Sequence, residues 1–446
     1  MEPVKVHIPK IAEPEIKYVF SILLKEILGC KIDFLTGESS HFIISQGEKS
    51  IEIKNVFFQD QSIKNLYSKD NIPDKTSTNK IAVNGVSLIY ETLYGEPNIE
   101  LSKTNTVIHF DIIASAFFML TRWEEAISDQ LDQLGRYNAK DALSVRNGFY
   151  CRPIINEYAH ILLNIFKYME FNIAEKEYSY EAVVTFDIDQ IRKWFSFKQL
   201  LISIKDNLIE GKLNYCFKDI ASYFRAKNKV DADPYCNFNY IVDSLKKRGI
   251  ENATFYFKAI TSESKYDRNK YSLSSKEIQD AFQLIKTSNY KIGIHPGFLT
   301  YDNPNLIAKE VSALAAHASQ KINSVRQHYL KFKIPDTWRH QSLNQLTEDS
   351  TMIYPHEVGF RNGICQPFQV YDFEKRELMN MREFPLIFME SPYFSKRQKL
   401  IYDVAKVTDQ VKKYGGVNTI LWHNSNLEYP RDRQLYNEAL KIIATS

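Results

Sequence analysis

Short runs of β-branched and aromatic residues alternate with amphipathic segments of helical length from Tyr180 to the end of the chain. A parallel pair of strands needs a crossover connection, usually a helix, so this alternation predicts a β/α sheet or barrel. The predicted strands are 182–186, 253–257, 291–294, 324–327, 382–389 and 417–422. The predicted helices are 240–248, 275–288, 305–321, 398–414 and 433–443.

The pattern divides the chain near residue 178. Residues 1–178 mix short β-like runs with two helical stretches, 112–127 and 154–169, which predicts an N-terminal α+β domain of unknown role. Residues 179–446 would form the β/α barrel. Within them, residues 191–232 contain helical, basic and aromatic stretches without an obvious strand, and we interpret this segment as a helical insertion over one rim. The length of 446 residues is consistent with such a division.

Composition excludes several classes of protein. Hydrophobic residues at 44% and charged residues at 25% are typical of a soluble globular chain, and a net charge of +3 is too small to predict nucleic-acid binding. The five cysteines are scattered and form no C-x-x-C pair, which favours free thiols in a reducing compartment. The N-terminus has no signal-peptide pattern, and the longest apolar run, 112–121, is too short to span a bilayer. We therefore expect a cytoplasmic protein without a membrane span, and its oligomeric state is open.

Polar residues capable of chemistry fall at the ends of the predicted strands. Asp187 and Asp189 end the first strand of the second part, His295 ends another, His328 a third, and His423 the last. In barrels and open α/β sheets, active sites gather at the carboxyl ends of the strands. The sequence therefore predicts that two carboxylates and three imidazoles meet at one rim.

These residue types suit a metal-dependent hydrolase. A zinc-like ion binds histidine nitrogen and aspartate oxygen, lowers the pKa of a water molecule and polarises a carbonyl group. A neighbouring carboxylate then acts as general base and a histidine as general acid. Asp187 and Asp189 are two residues apart, so a regular strand points both to the same face, where one can bind metal and the other can take a proton. Alone, such an Asp-x-Asp is often a turn or cap, and a single histidine is often structural; only their conjunction favours a site.

Two motifs at these positions resemble those of a known family. Residues 185–189 read TFDID, and residues 421–423 read LWH. They are similar to the first motif, T-F-D-D, and the last, L-x-H, of the polysaccharide deacetylases, carbohydrate esterase family four, although one residue is inserted between the aspartates. The resemblance covers about residues 180–446. It implies an irregular β/α barrel that removes acetyl groups from N- or O-acetylated sugars, with Asp187 as general base, Asp189 as a metal ligand and His423 as general acid.

The middle motifs depart from the family pattern. The second motif, H-S/T-x-x-H, corresponds here to HPGFL, so His295 matches the first metal-binding histidine and Leu299 stands in place of the second. The third motif, R-x-P-Y/F, resembles the stretch RQHY that begins at Arg326 and has His328 in the proline position. We predict that His328 supplies the missing imidazole, and the resemblance implies that Arg326 orients the base Asp187. The backbone around Tyr329 would contribute an oxyanion donor.

Two further stretches resemble a branch of uncharacterised two-part deacetylase-like proteins with an unrelated N-terminal domain. They are F-F-x-L-x-R-x-E-E at 117–125 and G-F-R-x-G-x-C-x-P-F at 359–368. Such branches often occur in bacterial surface-polysaccharide biosynthesis, which is what the resemblance implies here. Within the second stretch, Arg361 is a candidate substrate contact, because its fork of five donors suits a carboxylated or phosphorylated sugar. The alternative is a structural role.

The residues leave three hypotheses. The first is a metal-dependent deacetylase of an acetylated sugar or polysaccharide precursor, with Zn²⁺ as the expected ion. The second is a catalytically degenerate protein that binds carbohydrate or acts as a scaffold in surface-polysaccharide biosynthesis, for which Leu299 is the best support. The third, a metal-free glycosidase that pairs Asp187 with another carboxylate, does not explain histidines at strand ends. The sugar, the N- or O-linkage of the acetyl group and the metal are all open.

Overall fold

The computed structural model describes residues 2–59, 65–173, 176, 179–209, 211, 213–229, 232–261, 264–267, 271–393 and 396–444. In these ranges the strands form a six-stranded sheet from the first part of the chain, a nine-stranded sheet from the second part and a two-stranded hairpin.

The first part of the chain builds a mixed sheet with helices packed against it. Its strand order is β2-β1-β3-β4-β8-β7, and β5 and β6 form the separate hairpin. The strands are β1 (Val4–Pro9), β2 (Ile32–Gly37), β3 (Phe42–Gln46), β4 (Lys49–Ile53), β5 (Ser77–Val83), β6 (Val86–Thr92), β7 (Gly95–Glu100) and β8 (Asn105–Phe110). The helices are α1 (Glu13–Phe20), α2 (Ile112–Thr121), α3 (Trp123–Ala126), α4 (Leu143–Arg146) and α5 (Ile154–Tyr168), with a π-helical stretch at Ser21–Ile27.

The helix predicted at 112–127 is broken in two. Asp111 caps α2 by accepting a hydrogen bond from the Ala114 backbone N–H at 2.8 Å. Arg122 then adopts a left-handed conformation with a φ of 51°, which ends α2 and starts α3. Its buried guanidinium pairs with Glu124 and Glu125. The periodicity of the sequence continues through this turn and therefore could not reveal it.

The second part of the chain builds the large sheet in the order β14-β15-β13-β12-β11-β10-β9-β17-β16, and only β14 and β15 pair antiparallel. Its strands are β9 (Glu181–Ile188), β10 (Asn252–Phe257), β11 (Lys291–Ile294), β12 (Ser324–Val325), β13 (Glu348–Asp349), β14 (Phe368–Asp372), β15 (Glu377–Glu383), β16 (Leu386–Met389) and β17 (Val417–His423). Its helices are α6 (Phe197–Ile209), α7 (Leu213–Asn228), α8 (Phe238–Lys246), α9 (Lys276–Thr287), α10 (Pro304–Ala318), α11 (Asp336–Leu343), α12 (Arg397–Lys413) and α13 (Pro430–Ile443).

The predicted strand 382–389 is wrong, because the structure places two strands there. Residues 384 and 385 separate β15 from β16, and Pro385 has no N–H to donate to a strand ladder. β15 pairs near one edge of the sheet and β16 forms the other edge. Three backbone steps span at most about 11 Å, so the two sides of the sheet must approach each other there. The predicted α/β class is confirmed, with the sheet curled into a half-barrel.

The insertion predicted at 191–232 contains a helical hairpin, α6 and α7. No helix of the described residues is long and apolar enough to cross a membrane. One hydrophobic cluster runs through both parts of the chain. Phe117 on α2, for example, lies with its ring centroid 5.8 Å from that of Tyr371 on β14. Gly359 allows a close backbone approach between the parts, since a Cβ there would lie 2.3 Å from the Tyr150 carbonyl oxygen.

Candidate active site

Neighbouring parallel strands bring six of the predicted side chains together. Asp187 ends β9 and is opposite His423 of β17 in the ladder, and Asp189 follows β9 directly. His295 follows β11. Arg326 and His328 follow the two-residue strand β12. Since β17, β9, β10, β11 and β12 are adjacent and parallel, all these residues lie at the same edge of the sheet.

Three of them form a cluster that could hold a metal ion. Asp189 Oδ1 lies 3.5 Å from His295 Nε2 and 3.4 Å from His328 Nε2. One ligand atom from each residue lies within 4.8 Å of the other two. Two nitrogens and one oxygen are the donor set that zinc favours in catalytic sites.

The other ring nitrogen of each histidine in this cluster is already bonded. His295 Nδ1 lies 2.6 Å from the Arg326 carbonyl oxygen, which can only accept, so Nδ1 carries the proton. His328 Nδ1 lies 2.8 Å from Asp267 Oδ1 and donates to that carboxylate. In both rings Nδ1 is occupied, so Nε2 is the nitrogen that faces Asp189. Burial lowers the pKa of His295 to about 4 despite the nearby carboxylates, which keeps this ring neutral.

The carboxylate between the two histidines has an oxygen without a hydrogen bond. Asp189 Oδ1 is buried and accepts none from the residues that the structure describes, although Lys258 Nζ lies 3.3 Å away. Burial disfavours the charge of Asp189, but Lys258 and His328 outweigh burial and hold the pKa well below its ordinary value. A buried carboxylate oxygen that accepts no hydrogen bond from the described residues and lies within 3.5 Å of two imidazole nitrogens suits a bound cation.

Asp187 is held by an arginine on the opposite side from His295. Arg326 Nη1 donates to Asp187 Oδ1 at 3.2 Å and to Thr185 Oγ1 at 2.6 Å. Its Nε donates to the Ser350 carbonyl oxygen at 2.7 Å, and the side chain is fully buried. Asp187 Oδ2 lies 3.6 Å from His295 Nε2. The guanidinium therefore fixes one carboxylate oxygen and leaves the other directed toward the cluster.

His423 has a different electrostatic environment from the other two histidines. Its Nδ1 lies 2.8 Å from Glu390 Oε1, and its Nε2 lies 3.8 Å from Asp189 Oδ2. Burial favours the neutral ring, but the Glu390 carboxylate outweighs burial and raises the pKa of His423 to about 10. The raised pKa favours the protonated ring, whose Nε2 can donate a proton.

Tyr329 lies beside the cluster and has a left-handed backbone conformation. Its φ is 59°, and its ring centroid lies 4.4 Å from that of His328. Arg136, from the first part of the chain, donates to the Tyr329 carbonyl oxygen at 2.8 Å. Lys331 in turn donates to the carbonyl oxygen of Leu134 at 2.7 Å. A loop of the first part thus packs against the segment that carries His328.

Tyr329, which packs against His328, also contacts the rings of Tyr266 and Phe298. Tyr266 lies 4.2 Å from Phe298 and 5.6 Å from Tyr329, measured between ring centroids. Tyr329 is 41% exposed and Tyr266 is partly exposed, whereas Phe298 is buried, so the two tyrosines leave an aromatic surface open to solvent beside the cluster.

Arg361 does not join these residues. It is buried and its guanidinium binds Glu125 of α3 through Nε at 3.0 Å and through Nη2. Nη1 donates to the Ile353 carbonyl oxygen at 2.9 Å. Glu125 also binds Arg122, so these charges form a buried network between the two parts of the chain. Leu299, in place of the family's second histidine, lies in a 3₁₀ turn after β11 and is exposed.

Sequence reasoning missed three charged residues of the site. Lys258 follows β10 and Glu390 follows β16, so the rule that located the histidines could have located both. Asp267 belongs to the connection between β10 and α9, where no sequence pattern indicates that it binds His328.

Comparisons with known proteins give distant similarities. A family of unknown function, DUF7033, matches residues 4–170. No curated protein matches the sequence. A protein from Mycobacterium smegmatis described as a polysaccharide deacetylase has a similar structure, with 13% identity, a TM-score of 0.39, and coverage of 61% of this chain and 87% of that chain.

Two further solved structures are similar at lower scores. A family 4 carbohydrate esterase from Streptomyces lividans, in complex with acetate, has 10% identity, a TM-score of 0.28, and coverage of 60% of this chain and 88% of that chain. A CE4 family pseudoenzyme from Bacillus anthracis has 11% identity, a TM-score of 0.26, and coverage of 59% of each chain. A functional assignment therefore depends on the geometry of this chain's own residues.

Proposed function

We propose that this chain is a divalent-metal-dependent hydrolase that removes acetyl groups from an acetylated sugar or polysaccharide precursor, with its second part an irregular β/α barrel. The observation that carries the proposal is the difference between the histidines. His295 and His328 direct Nε2 toward one carboxylate oxygen, whereas Nδ1 of His423 binds the Glu390 carboxylate. This is the division of roles that metal-assisted hydrolysis needs.

Asp189, His295 and His328 would hold the cation, and Zn²⁺ suits their donor set. When bound, the cation would supply Lewis-acid polarisation of the acetyl carbonyl and a lowered pKa for water. Asp267 and the Arg326 carbonyl hold the two imidazoles in the tautomer that ligation requires.

The proton transfers are assigned to Asp187 and His423. Asp187 Oδ2 takes the proton of the attacking water, while Arg326 keeps Oδ1 in place. His423 donates the proton on Nε2 to the leaving amine or alkoxide. Glu390 stabilises the imidazolium before the transfer. Arg326 and Glu390 are positioning residues in this scheme.

The aromatic surface beside His328 supports a sugar substrate. One face of a pyranose ring carries C–H groups, which pack against aromatic rings such as Tyr329 and Tyr266. The backbone at Tyr329 remains our predicted oxyanion donor.

One observation favours the degenerate alternative, a carbohydrate-binding or scaffold protein of surface-polysaccharide biosynthesis. Lys258 is buried, and its ammonium group already places a positive charge 3.3 Å from Asp189 Oδ1. A like charge disfavours a second cation. If Lys258 occupies the site of the metal, the pocket would bind sugars without hydrolysing them.

Metal content and acetate release separate the two functions. The chain is purified through a chelator, supplied with Zn²⁺, Co²⁺ or Ni²⁺, and assayed with acetylated chitooligosaccharides and O-acetylated sugars. We expect one ion per chain, lost in His295→Ala and His328→Ala but kept in His423→Ala, which retains metal without turnover. His317→Ala is the control, since this histidine is exposed on α10. A wild-type chain that retains no ion and releases no acetate would exclude the hydrolase.

A further inference from the structure

The helical hairpin α6–α7 has a concentration of exposed apolar side chains. Among the described residues, nineteen large hydrophobic side chains are exposed, and ten of them lie between residues 195 and 224. A single exposed apolar residue is ordinary, but a large contiguous group marks an interaction surface. The ten are Phe195, Phe197, Leu201, Ile202, Leu208, Ile209, Leu213, Phe217, Ile220 and Phe224.

Nine of them lie on outward faces of the two helices, and Phe195 lies just before α6. On α7, Leu213, Phe217, Ile220 and Phe224 follow the i, i+4, i+7, i+11 pattern of one helical stripe. The inward side of the hairpin is small: among the described residues its apolar cluster consists of buried Trp194, Leu200 and Ala226, with partly buried Ile204 and Tyr223 packed against them. The hairpin therefore exposes more large apolar side chains than it buries.

The charges around this surface are positive. Six basic side chains of the segment are exposed, whereas Asp206 is the exposed acidic one in the described part of α6 and α7. Asp219 is buried and neutralised by Lys193 Nζ at 2.7 Å. The exposed basic residues are Lys198, Lys205, Lys218, Arg225, Lys227 and Lys229.

Large apolar residues interspersed with lysine and arginine match one partner best. Lysine is depleted in the cores of protein–protein interfaces. At an anionic bilayer, by contrast, apolar side chains enter the acyl boundary while lysines extend to the headgroups. We propose that the α6–α7 hairpin docks the protein on the surface of an anionic membrane.

The hairpin is fixed to the same edge of the sheet as the site. Lys193 Nζ also lies 2.6 Å from the carboxylate of Glu428. Glu428 is five residues after His423 in the chain. Asn424, next to His423, donates to the Gln190 carbonyl oxygen at 2.7 Å. Membrane docking would therefore hold the rim with Asp187 and His423 close to the lipid surface. The substrate class that follows is a glycan carried on a lipid, an assignment that rests on the proposed function.

Vesicle flotation of the full-length chain tests the docking. The probes are vesicles of phosphatidylglycerol and phosphatidylcholine in equal amounts, and vesicles of phosphatidylcholine alone. We expect the protein to bind the anionic vesicles, and to bind the neutral vesicles about ten-fold more weakly. Binding to the anionic vesicles should fall with added salt. Replacing Phe217 and Phe224 together by glutamate should abolish binding, and Lys198→Gln with Lys205→Gln should reduce it about ten-fold or more.

The matched control places glutamate at Leu343 and Leu378, which are exposed on other elements. Circular dichroism verifies that every variant is folded. Absence of wild-type binding to anionic vesicles would overturn the proposal, as would equal losses in the control. A third result would also overturn it: the wild-type chain binds no vesicles and forms a dimer in solution, and the Phe217 and Phe224 substitutions convert this dimer to a monomer. His295→Ala should float like wild type, so the result is independent of metal binding and hydrolysis.

Discussion

Asp267 Oδ1 accepts a hydrogen bond from His328 Nδ1 over 2.8 Å, at a position where the carboxylate is fully buried. The same carboxylate accepts the Phe298 backbone N–H at 3.0 Å, which fixes it from a second side. Asp267 therefore determines which nitrogen of His328 is free to bind a cation.

Asp267→Asn should weaken metal binding without removing a ligand. The amide cannot carry the negative charge that favours the Nδ1–H tautomer, so we expect a loss of about 10- to 100-fold in Zn²⁺ affinity. Competition with a chromophoric chelator measures the change. Asp302→Asn, at an exposed acid whose nearest cation Lys333 lies 4.0 Å away, is the control. Unchanged affinity in Asp267→Asn would show that His328 is not a ligand.

Lys258→Met should strengthen metal binding. It removes a positive charge 3.3 Å from Asp189 Oδ1, and we expect Zn²⁺ affinity to rise about ten-fold because the repulsion between cations disappears. Isothermal titration calorimetry on chelator-treated protein measures it. Lys291→Met removes an exposed lysine paired with Glu348 and should change nothing. Weaker binding in Lys258→Met would mean that the lysine organises the site.

Glu390→Gln should lower the pKa of His423 and change how stability depends on pH. The folded-state pKa of about 10 lies above the ordinary value of 6.5, so the ion pair contributes stability that is fully present below about pH 6.5. That contribution is lost as the pH rises through about 10. The free energy of urea unfolding should therefore differ most between wild type and variant near pH 6 and least above pH 10. A difference independent of pH would contradict the assignment. Glu438→Gln, on an exposed site of α13, is the control.

Glu125→Gln should destabilise the whole chain. Glu125 is buried between Arg122 and Arg361. Glutamine at this position has no negative charge, so the two buried guanidinium groups would lack a full counter-charge. We expect a loss of about 3–5 kcal/mol in the free energy of unfolding, measured by urea denaturation. The exposed Glu96→Gln should lose less than about 0.5 kcal/mol. Lost sugar binding at unchanged stability would instead favour the substrate contact predicted for Arg361.

Arg136→Ala should disturb the segment of His328 from a distance. Arg136 binds the carbonyl oxygen of Tyr329, whose left-handed backbone is costly for a residue with a side chain. We expect kcat to fall about ten-fold, and the free energy of unfolding to fall by about 1 kcal/mol. Steady-state kinetics and urea denaturation measure the two effects. Lys140→Ala, an exposed residue of the same region, is the control, and equal effects in both variants would remove the role of Arg136.

The strands that the sequence predicted most accurately are those with continuous apolar runs. β9, β10, β11 and β17 are buried and rich in β-branched and aromatic residues, so their positions follow from composition and flanking breaks. The predicted strand 324–327 overlaps β12, which is only two residues long, whereas β13, also of two residues, carries no periodicity that a sequence can display. Helix α11, with the sequence DTWRHQSL, has few apolar positions and was likewise missed.

The site shows the same limit. Residues that follow strands could be located because the topology carries them to one edge. The partners that fix their tautomers and charges depend on loops and on contacts across the chain. Glu125 and Arg361, for instance, are separated by 236 positions in sequence, and no local pattern pairs them. An arginine guanidinium can bind a charged ligand or a buried carboxylate equally well, and only the fold shows which of the two it contacts.

The hydrogen bond from Arg136 to the Tyr329 carbonyl oxygen also limits which N-terminal domains could replace the present one. A chimera that joins the second part to an unrelated N-terminal domain would lose the hydrogen bond from Arg136 that stabilises the turn beside His328. Substitutions in residues 131–137 and 328–331 are accordingly expected to covary, so that the two halves are inherited as a matched pair.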